Sequence, residues 1–211
     1  MWERKEYGYE WKKWEGCKIV QGVRHIFPLK GREYAELYQI HSSLVRVVDK
    51  PVKVVGDGLV TGVPGLPLVV KTADCYPVFL YDSDKRICGI YHAGWRGTLL
   101  EIGREAVRVM KEVFDCLPSS IWVLLGAGIG KESYTVGKEV YELFLKKFPE
   151  AVEERNGRYY VDLYLANRIS LEKEGVKEII PPRWDTFIHE EFYSKRRGDT
   201  ERNIAWIELL T

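Results

Sequence analysis

Methionine, histidine and the side-chain amides are scarce in this sequence of 211 residues: two Met, four His, Gln only at 21 and 39, and Asn only at 156, 167 and 203. Four histidines are too few for a site of several copper ions, and with Met1 and Met110 as the only methionines a blue-copper centre has few choices of axial ligand. The poverty in amides, set beside a charged fraction of 30%, is a bias of heat-adapted proteins. No apolar run reaches the length of a spanning helix, and Met1-Trp-Glu-Arg-Lys-Glu-Tyr7 alternates charges with aromatics where a secretory leader would carry an apolar stretch. The expectation is a cytoplasmic protein with no membrane partner. Neither sign of charge is in excess, with 32 basic residues against 31 acidic ones, so no global field draws the chain to nucleic acid and an anionic ligand must be gripped locally. Cys17, Cys75, Cys88 and Cys116 form no C-x-x-C pair, which excludes the four-cysteine zinc knuckle, and without a leader they are expected as thiols.

What is present suffices for one core. The length and a hydrophobic content of 45% predict a single domain over residues 1–211, uninterrupted by repeats or a Pro/Ser-rich linker, as a monomer or weak homodimer. Strand-like runs cover Lys18 to Phe27, Leu44 to Val48, Leu66 to Lys71, Tyr76 to Tyr81, Arg86 to Tyr91, Ile121 to Leu125 and Asn203 to Leu209. Helical periodicity appears around Val136 to Phe148, around Leu163 to Glu174, and after Thr98, where Thr98 and Glu101 have the spacing of a capping box. Strands interleaved with helices predict an α+β fold, a mixed β-sheet core flanked by helices in an αβα-type sandwich.

Within this pattern, Thr72 to His92 reads as two apolar strands joined by Asp82-Ser83-Asp84-Lys85. A turn centred between Ser83 and Asp84 sets Cys75 opposite His92, close enough for the two side chains to share one metal ion. Ala93-Gly94-Trp95-Arg96-Gly97 follows at the start of a helix, where backbone N–H groups favour anions. A third ligand would complete a catalytic zinc site with one open position. His41, at the end of a polar stretch expected to be helical, competes for that role on equal terms with His25 and His189.

Thr72-Ala-Asp-Cys-Tyr-Pro77, His92-Ala-Gly-Trp-Arg-Gly97 and Gln39-Ile-His41 together resemble the laccase-domain family, also labelled polyphenol oxidase-like. The likeness continues through Gly126-Ala-Gly-Ile-Gly130, Tyr134-Thr-Val-Gly137, Val161-Asp-Leu163 and Phe192-Tyr-Ser-Lys-Arg-Arg-Gly-Asp199, covering the chain from about Gly22 onward. Members are described as zinc-dependent purine nucleoside phosphorylases that also deaminate adenosine and cleave methylthioadenosine. The resemblance therefore implies one zinc ion per chain on His41, Cys75 and His92, with purine nucleosides and phosphate as partners. It implies that Arg96 and the Lys195-Arg196-Arg197 cluster lie near the pocket. Arg96 and Arg196 are expected to bind substrate, because guanidinium grips phosphate in bidentate fashion. The chain departs from the family in a shortened segment before Gln39, where Lys30 stands in place of an arginine and joins the expected substrate-binding set. It departs again at Lys131-Glu132-Ser133, which replaces a cysteine-bearing loop, and at Asp185-Thr186, which replaces a Cys-Thr pair.

The leading expectation is phosphorolysis of adenosine, inosine, guanosine and methylthioadenosine, with adenosine deamination as a second activity. Asp74 is the carboxyl nearest the ligands in sequence and the expected proton shuttle, while Cys75 and His92 are expected in the catalytic set. Two alternatives stand beside it. One is a cysteine hydrolase or deamidase with Cys75 as nucleophile and His92 as base; the other is a zinc-bearing, non-catalytic nucleoside-binding module.

Overall fold

The computed structural model describes residues 1–25 and 29–211; the run predicted as strand to Phe27 therefore ends, for Ile26 and Phe27, outside the described residues. In chain order the strands begin with β1 (Trp2–Lys5), β2 (Gly8–Trp11), β3 (Cys17–Gly22), β4 (Ala35–Tyr38), β5 (Val45–Val47), β6 (Val52–Val55), β7 (Gly58–Thr61), β8 (Leu68–Thr72), β9 (Tyr76–Asp82) and β10 (Ile87–Ala93). Then come α1 (Trp95–Leu99), α2 (Ile102–Phe114), β11 (Trp122–Leu125), β12 (Thr135–Val136), α3 (Lys138–Lys147), β13 (Val152–Arg155), β14 (Arg158–Val161), α4 (Leu163–Lys173), β15 (Glu178–Ile180) and β16 (Asn203–Leu209).

The α+β class expected from the sequence is the one that forms. Its strands sort into two mixed sheets and a small third one. The seven-stranded sheet runs β1-β2-β3-β16-β8-β4-β6, the six-stranded sheet β15-β11-β9-β10-β7-β5, and the three-stranded sheet β12-β14-β13. Alternation along each strand explains the layering. Ile19, Leu68, Val70 and Ile207 of the larger sheet share one apolar cluster with Phe79, Tyr81, Ile90 and Leu124 of the six-stranded sheet. The opposite side chains of the latter, Val78, Leu80, Tyr91 and Val123, pack on Ile102, Ala106 and Met110 of α2 and on Phe144 and Leu163 beyond it. With both its faces covered, the six-stranded sheet needs continuous apolar strands, and every residue of β9 and β10 is buried.

Two local expectations are corrected. Thr98 does not cap the long helix: it lies inside the five-residue α1, where its hydroxyl accepts a hydrogen bond from Asn167 Nδ2 (2.9 Å). Glu101, in a left-handed conformation with φ 55°, turns the chain from α1 into α2. Its carboxylate bonds Lys147 (2.8 Å) instead of reaching back as a capping box would. The stretch leading to His41 is not helical either: Ala35 to Tyr38 form β4, paired in parallel with β6 and β8. Interstrand pairing outweighs the local polarity of that stretch.

The connections between the sheets matter most for function. Three times the chain leaves the seven-stranded sheet for the six-stranded one: from β4 to β5, from β6 to β7 and from β8 to β9. These crossings carry His41, Asp57 and Cys75 respectively.

Candidate metal centre

The β9–β10 hairpin provides two of the three ligand candidates. Its register pairs Asp82 with Ile87 and Pro77 with His92, so the turn is centred between Asp84 and Lys85, one residue later than expected. The cause is the Asp82 carboxylate, which accepts hydrogen bonds from the backbone N–H groups of Asp84 and Lys85 (both 3.0 Å). The partner of His92 is thus Pro77 and not Cys75. An antiparallel slip that moves the partner by two residues leaves the faces unchanged, so Cys75 and His92 still project to the same side, as diagonal neighbours.

His41 reaches the same point from the β4–β5 crossing. Its backbone stands at φ 60°, a left-handed conformation costly for a residue other than glycine. The structure holds it there by two devices. The Gln39 side chain imitates a ladder pair, donating from Nε2 to Lys71 O and accepting from Lys71 N (both 2.8 Å). Asp57, fully buried, accepts from the consecutive N–H groups of Ile40 (3.2 Å), His41 (3.0 Å) and Ser42 (2.7 Å), and from the Ser42 hydroxyl (2.7 Å).

Asp57 also fixes His92. Its Oδ1 lies 2.9 Å from His92 Nδ1, and its carbonyl accepts from His92 N at 2.7 Å. Burial pushes the Asp57 carboxyl up, but the hydrogen bonds from His92 and Ser42 more than offset this and hold its pKa at about 2. Burial lowers His92, whereas the bonds to Asp57 and Cys75 raise it further, to about 9. At Cys75 burial raises the thiol and the bonds from His41 and His92 bring it down to about 7.

His41, Cys75 and His92 thereby converge, with one ligand atom from each lying within 4.8 Å of the others, a group able to hold a metal ion. The two imidazoles meet edge-on, centroids 4.9 Å apart. Gly94 makes the convergence possible: a Cβ there would stand 2.8 Å from Cys75 Sγ and 3.4 Å from His41 Cδ2. The group opens into a cleft of about 440 Å³, also lined by Lys71, Lys195 and Arg202. A second hollow of about 330 Å³ shares Cys75 and Lys195 with it and adds Asp74, Tyr134 and Arg196.

The remaining expected residues are placed unevenly. Asp74, at φ 79°, accepts from the Thr186 hydroxyl (2.8 Å) and from Arg196 N (2.7 Å), so its carboxylate ties the two late segments to the loop that carries Cys75. Arg196 lines the second hollow but donates its guanidinium to Thr135 Oγ1 (2.9 Å) and O (2.7 Å). Arg96 is exposed and lies over the Trp95 ring, and Lys30 is exposed; neither lines the cleft. Arg197 is spent on the carbonyls of Thr186 and Phe187 (both 3.0 Å) and on Asp199 (2.8 Å). Sequence reasoning missed Asp57 and Arg202. The first had a visible signal, an acid bracketed by glycines in Gly56-Asp57-Gly58 between two apolar runs.

Fold and site define an α+β protein with a His/Cys/His group beneath a basic cleft. A family profile described as multi-copper polyphenol oxidoreductase laccase matches residues 20–210, and the chain belongs to that family. It is 40% identical over 181 residues to a protein of Deinococcus radiodurans named purine nucleoside phosphorylase, spanning 84% of this chain and 70% of that one. A Bacteroides thetaiotaomicron protein of the same name is 37% identical over 149 residues, 67% of this chain and 55% of its own length. The fold is that of the Bacillus licheniformis hypothetical protein YfiH, with a TM-score of 0.87 at 22% identity over 99% of this chain and 98% of that one.

Proposed function

We propose that the protein is a zinc-dependent purine nucleoside phosphorylase acting on adenosine, inosine, guanosine and methylthioadenosine, with adenosine deamination as a second reaction of the same cleft. The observation that carries this reading is the convergence of His41, Cys75 and His92 over a buried carboxylate, in a chain whose relatives bear the phosphorylase name. The donor set suits zinc: one thiolate and two imidazoles, with His92 Nδ1 committed to Asp57 so that Nε2 is left for a metal. Three protein donors leave a position open to substrate. When bound, zinc supplies a positive charge that polarises an oxygen of substrate or water. Copper of the blue type suits the site less well, since Met110 is buried against the helices and Met1 is at the exposed N-terminus, so neither offers an axial sulfur.

In phosphorolysis a phosphate oxygen forms a bond to the anomeric carbon of the ribose while the bond to the purine nitrogen breaks. The base leaves with the bonding pair and takes up a proton. The part of this chain's residues is to position the reactants: Asp57 fixes the His92 tautomer and the His41 turn, and Asp74 holds the Lys195–Arg196 segment beside Cys75. We assign Asp74 to positioning in phosphorolysis. Deamination needs a proton shuttle, and each Asp74 oxygen, accepting one hydrogen bond from Thr186 or Arg196 N, keeps a second lone pair for a proton.

One observation favours a second reading. A thiol between two imidazoles and drawn down to about 7 is the arrangement of a cysteine nucleophile. Metal analysis followed by incubation with inosine, adenosine and methylthioadenosine, with and without phosphate, separates the readings. Phosphorylase activity requires about one zinc per chain and base release that stops without phosphate. Base release that is equal without phosphate and abolished by iodoacetamide at Cys75 would establish the hydrolase instead, and nucleoside binding with no product in any arm would leave a binding module.

A further inference from the structure

Among the described residues, the lining of the cleft has three cations and no carboxylate. One cation is already matched: Lys71 pairs with Glu36 at 2.7 Å, and the same carboxylate takes Lys53 at 3.0 Å. The other two, Lys195 and Arg202, have no acidic partner among the described residues.

Each is nevertheless held by its surroundings. Arg202 Nη1 donates to the carbonyls of Thr200 (2.7 Å) and Glu201 (2.8 Å), which pins the guanidinium and leaves Nε and Nη2 without an acceptor among the described residues. The backbone of Lys195 lies in a turn closed by Gly198 N to Lys195 O (3.0 Å) and Asp199 N to Ser194 O (3.0 Å). Asp74 anchors that turn through Arg196 N, so only the lysine stem is free to move. Two unmatched cations facing one cleft repel each other and any bound divalent metal, and an anion between them removes that repulsion. A guanidinium pinned by one nitrogen loses little further freedom when its remaining edge takes an oxyanion.

We propose that Lys195 and Arg202 form a subsite for a tetrahedral phosphate group beside His41 and Cys75. It lies in the compartment lined by Arg202 and not in the hollow lined by Tyr134 and Arg196. Arg96 and Arg196, the residues expected from the sequence, are passed over because one stacks on Trp95 and the other is bound to Thr135. The role of the subsite, holding the attacking phosphate, rests on the phosphorylase reading; the binding itself does not.

The test titrates inorganic phosphate into zinc-loaded protein by calorimetry. Wild type binds; Arg202→Ala and Lys195→Gln each weaken binding at least tenfold; Lys111→Ala, on an exposed residue of α2 outside the cleft, does not change it. Zinc content and melting temperature show that all three variants are folded and loaded. In turnover the two cleft variants raise the phosphate KM at least tenfold and change the inosine KM less than twofold. Adenosine 5′-monophosphate distinguishes free from substrate-borne phosphate. Tighter binding than adenosine, lost in Arg202→Ala, shows that the subsite also accepts a phosphate carried by the nucleoside; equal binding confines it to the free ion. Undiminished phosphate affinity in both variants overturns the subsite. Arg202-dependent phosphate binding without any base release keeps the subsite and defeats the phosphorylase reading, whereas base release with an unaltered phosphate KM does the reverse.

Discussion

The root of the β9–β10 hairpin and the end beside its turn carry one cysteine each, and the two thiols are held in opposite states. Cys75, at the root, receives hydrogen bonds from two imidazoles that overcome its burial and bring it to about 7. Cys88, the second residue of β10 and one pair from the turn, sits fully buried in the apolar layer between the two large sheets, and burial pushes its thiol far above the ordinary value. Residue type is the same; Cys75 is partly exposed to the cleft and Cys88 fully buried, and the two differ further in the company each keeps. At the root three inter-sheet crossings meet and deliver polar groups, whereas the strand pair around Cys88 is covered by side chains on both faces. A ligand needs the first environment and a packing residue the second.

The largest effect is expected from removing the donors at the root. His41→Ala, Cys75→Ala and His92→Ala should each lower zinc content from about one per chain to below a tenth, because two remaining donors are a weak site. Metal analysis after dialysis checks this, and full occupancy in Cys75→Ala would refute the assignment. Removing the metal with a chelator should make Cys75 the first thiol to react with iodoacetamide, while Cys17 and Cys116, each held up at about 12, and Cys88 stay silent until unfolding. Peptide mapping of the alkylated protein reads that order.

Next in size comes Asp57. Asp57→Asn keeps the shape but removes the charge that accepts from three successive N–H groups and from His92. A loss of zinc affinity of about 10- to 100-fold is expected, as for other groups that orient a metal-binding histidine. Stability should fall by about 3 kcal/mol, since a buried charge-assisted network is broken. A competition titration with a chromophoric chelator and a urea unfolding curve measure the two effects. Unchanged zinc affinity would show that the His41 turn and the His92 ring keep their places without the carboxylate.

Gly94→Ala probes the same root more gently. The added methyl would crowd Cys75 Sγ at 2.8 Å, and relief requires the thiol to rotate away from the imidazoles. Zinc affinity should drop by about tenfold with little loss of fold, because the strain falls on one rotamer. The titration used for Asp57→Asn checks it.

These residues also show how far the sequence could be read. The hairpin was legible because two apolar runs flank a turn, but its centre was misplaced by one residue since the Asp82 carboxylate, not the composition, sets where the turn closes. The error was harmless: faces repeat every two residues, so Cys75 and His92 remained on one side. Asp57 escaped notice because its partners lie 15 to 17 and 35 residues away, and no local spacing links an acid to them. The first two strands escaped for a different reason. Only Tyr9-Glu10-Trp11 of β2 alternates, and the three charges that follow Trp2 in β1 hide its strand pattern. Seven strand runs and the helices α2, α3 and α4 were visible in periodicity, whereas the division into two sheets depends on long-range pairing that periodicity does not encode.

The smallest effect on the metal is expected near the turn of the hairpin, at Cys88, and it is the one that tests the comparison as a whole. Cys88 is fully buried, pairs with Thr61 across β7 and Tyr81 across β9, and packs with Ile90 and Phe79 in the layer between the sheets. Cys88→Ala removes one sulfur from a dry, close-packed environment, which should cost about 1 kcal/mol through lost contact and a small cavity. Zinc content and affinity should stay at wild-type values, because nothing at position 88 touches His41, Cys75 or His92. The measurement is the same chelator titration beside a urea curve, with Cys75→Ala run in parallel: that variant should lose the metal and Cys88→Ala only stability. A fall in zinc affinity in Cys88→Ala as large as that in Gly94→Ala would mean that packing near the turn of the hairpin sets the geometry of its root, and the two cysteines could no longer be treated as separate.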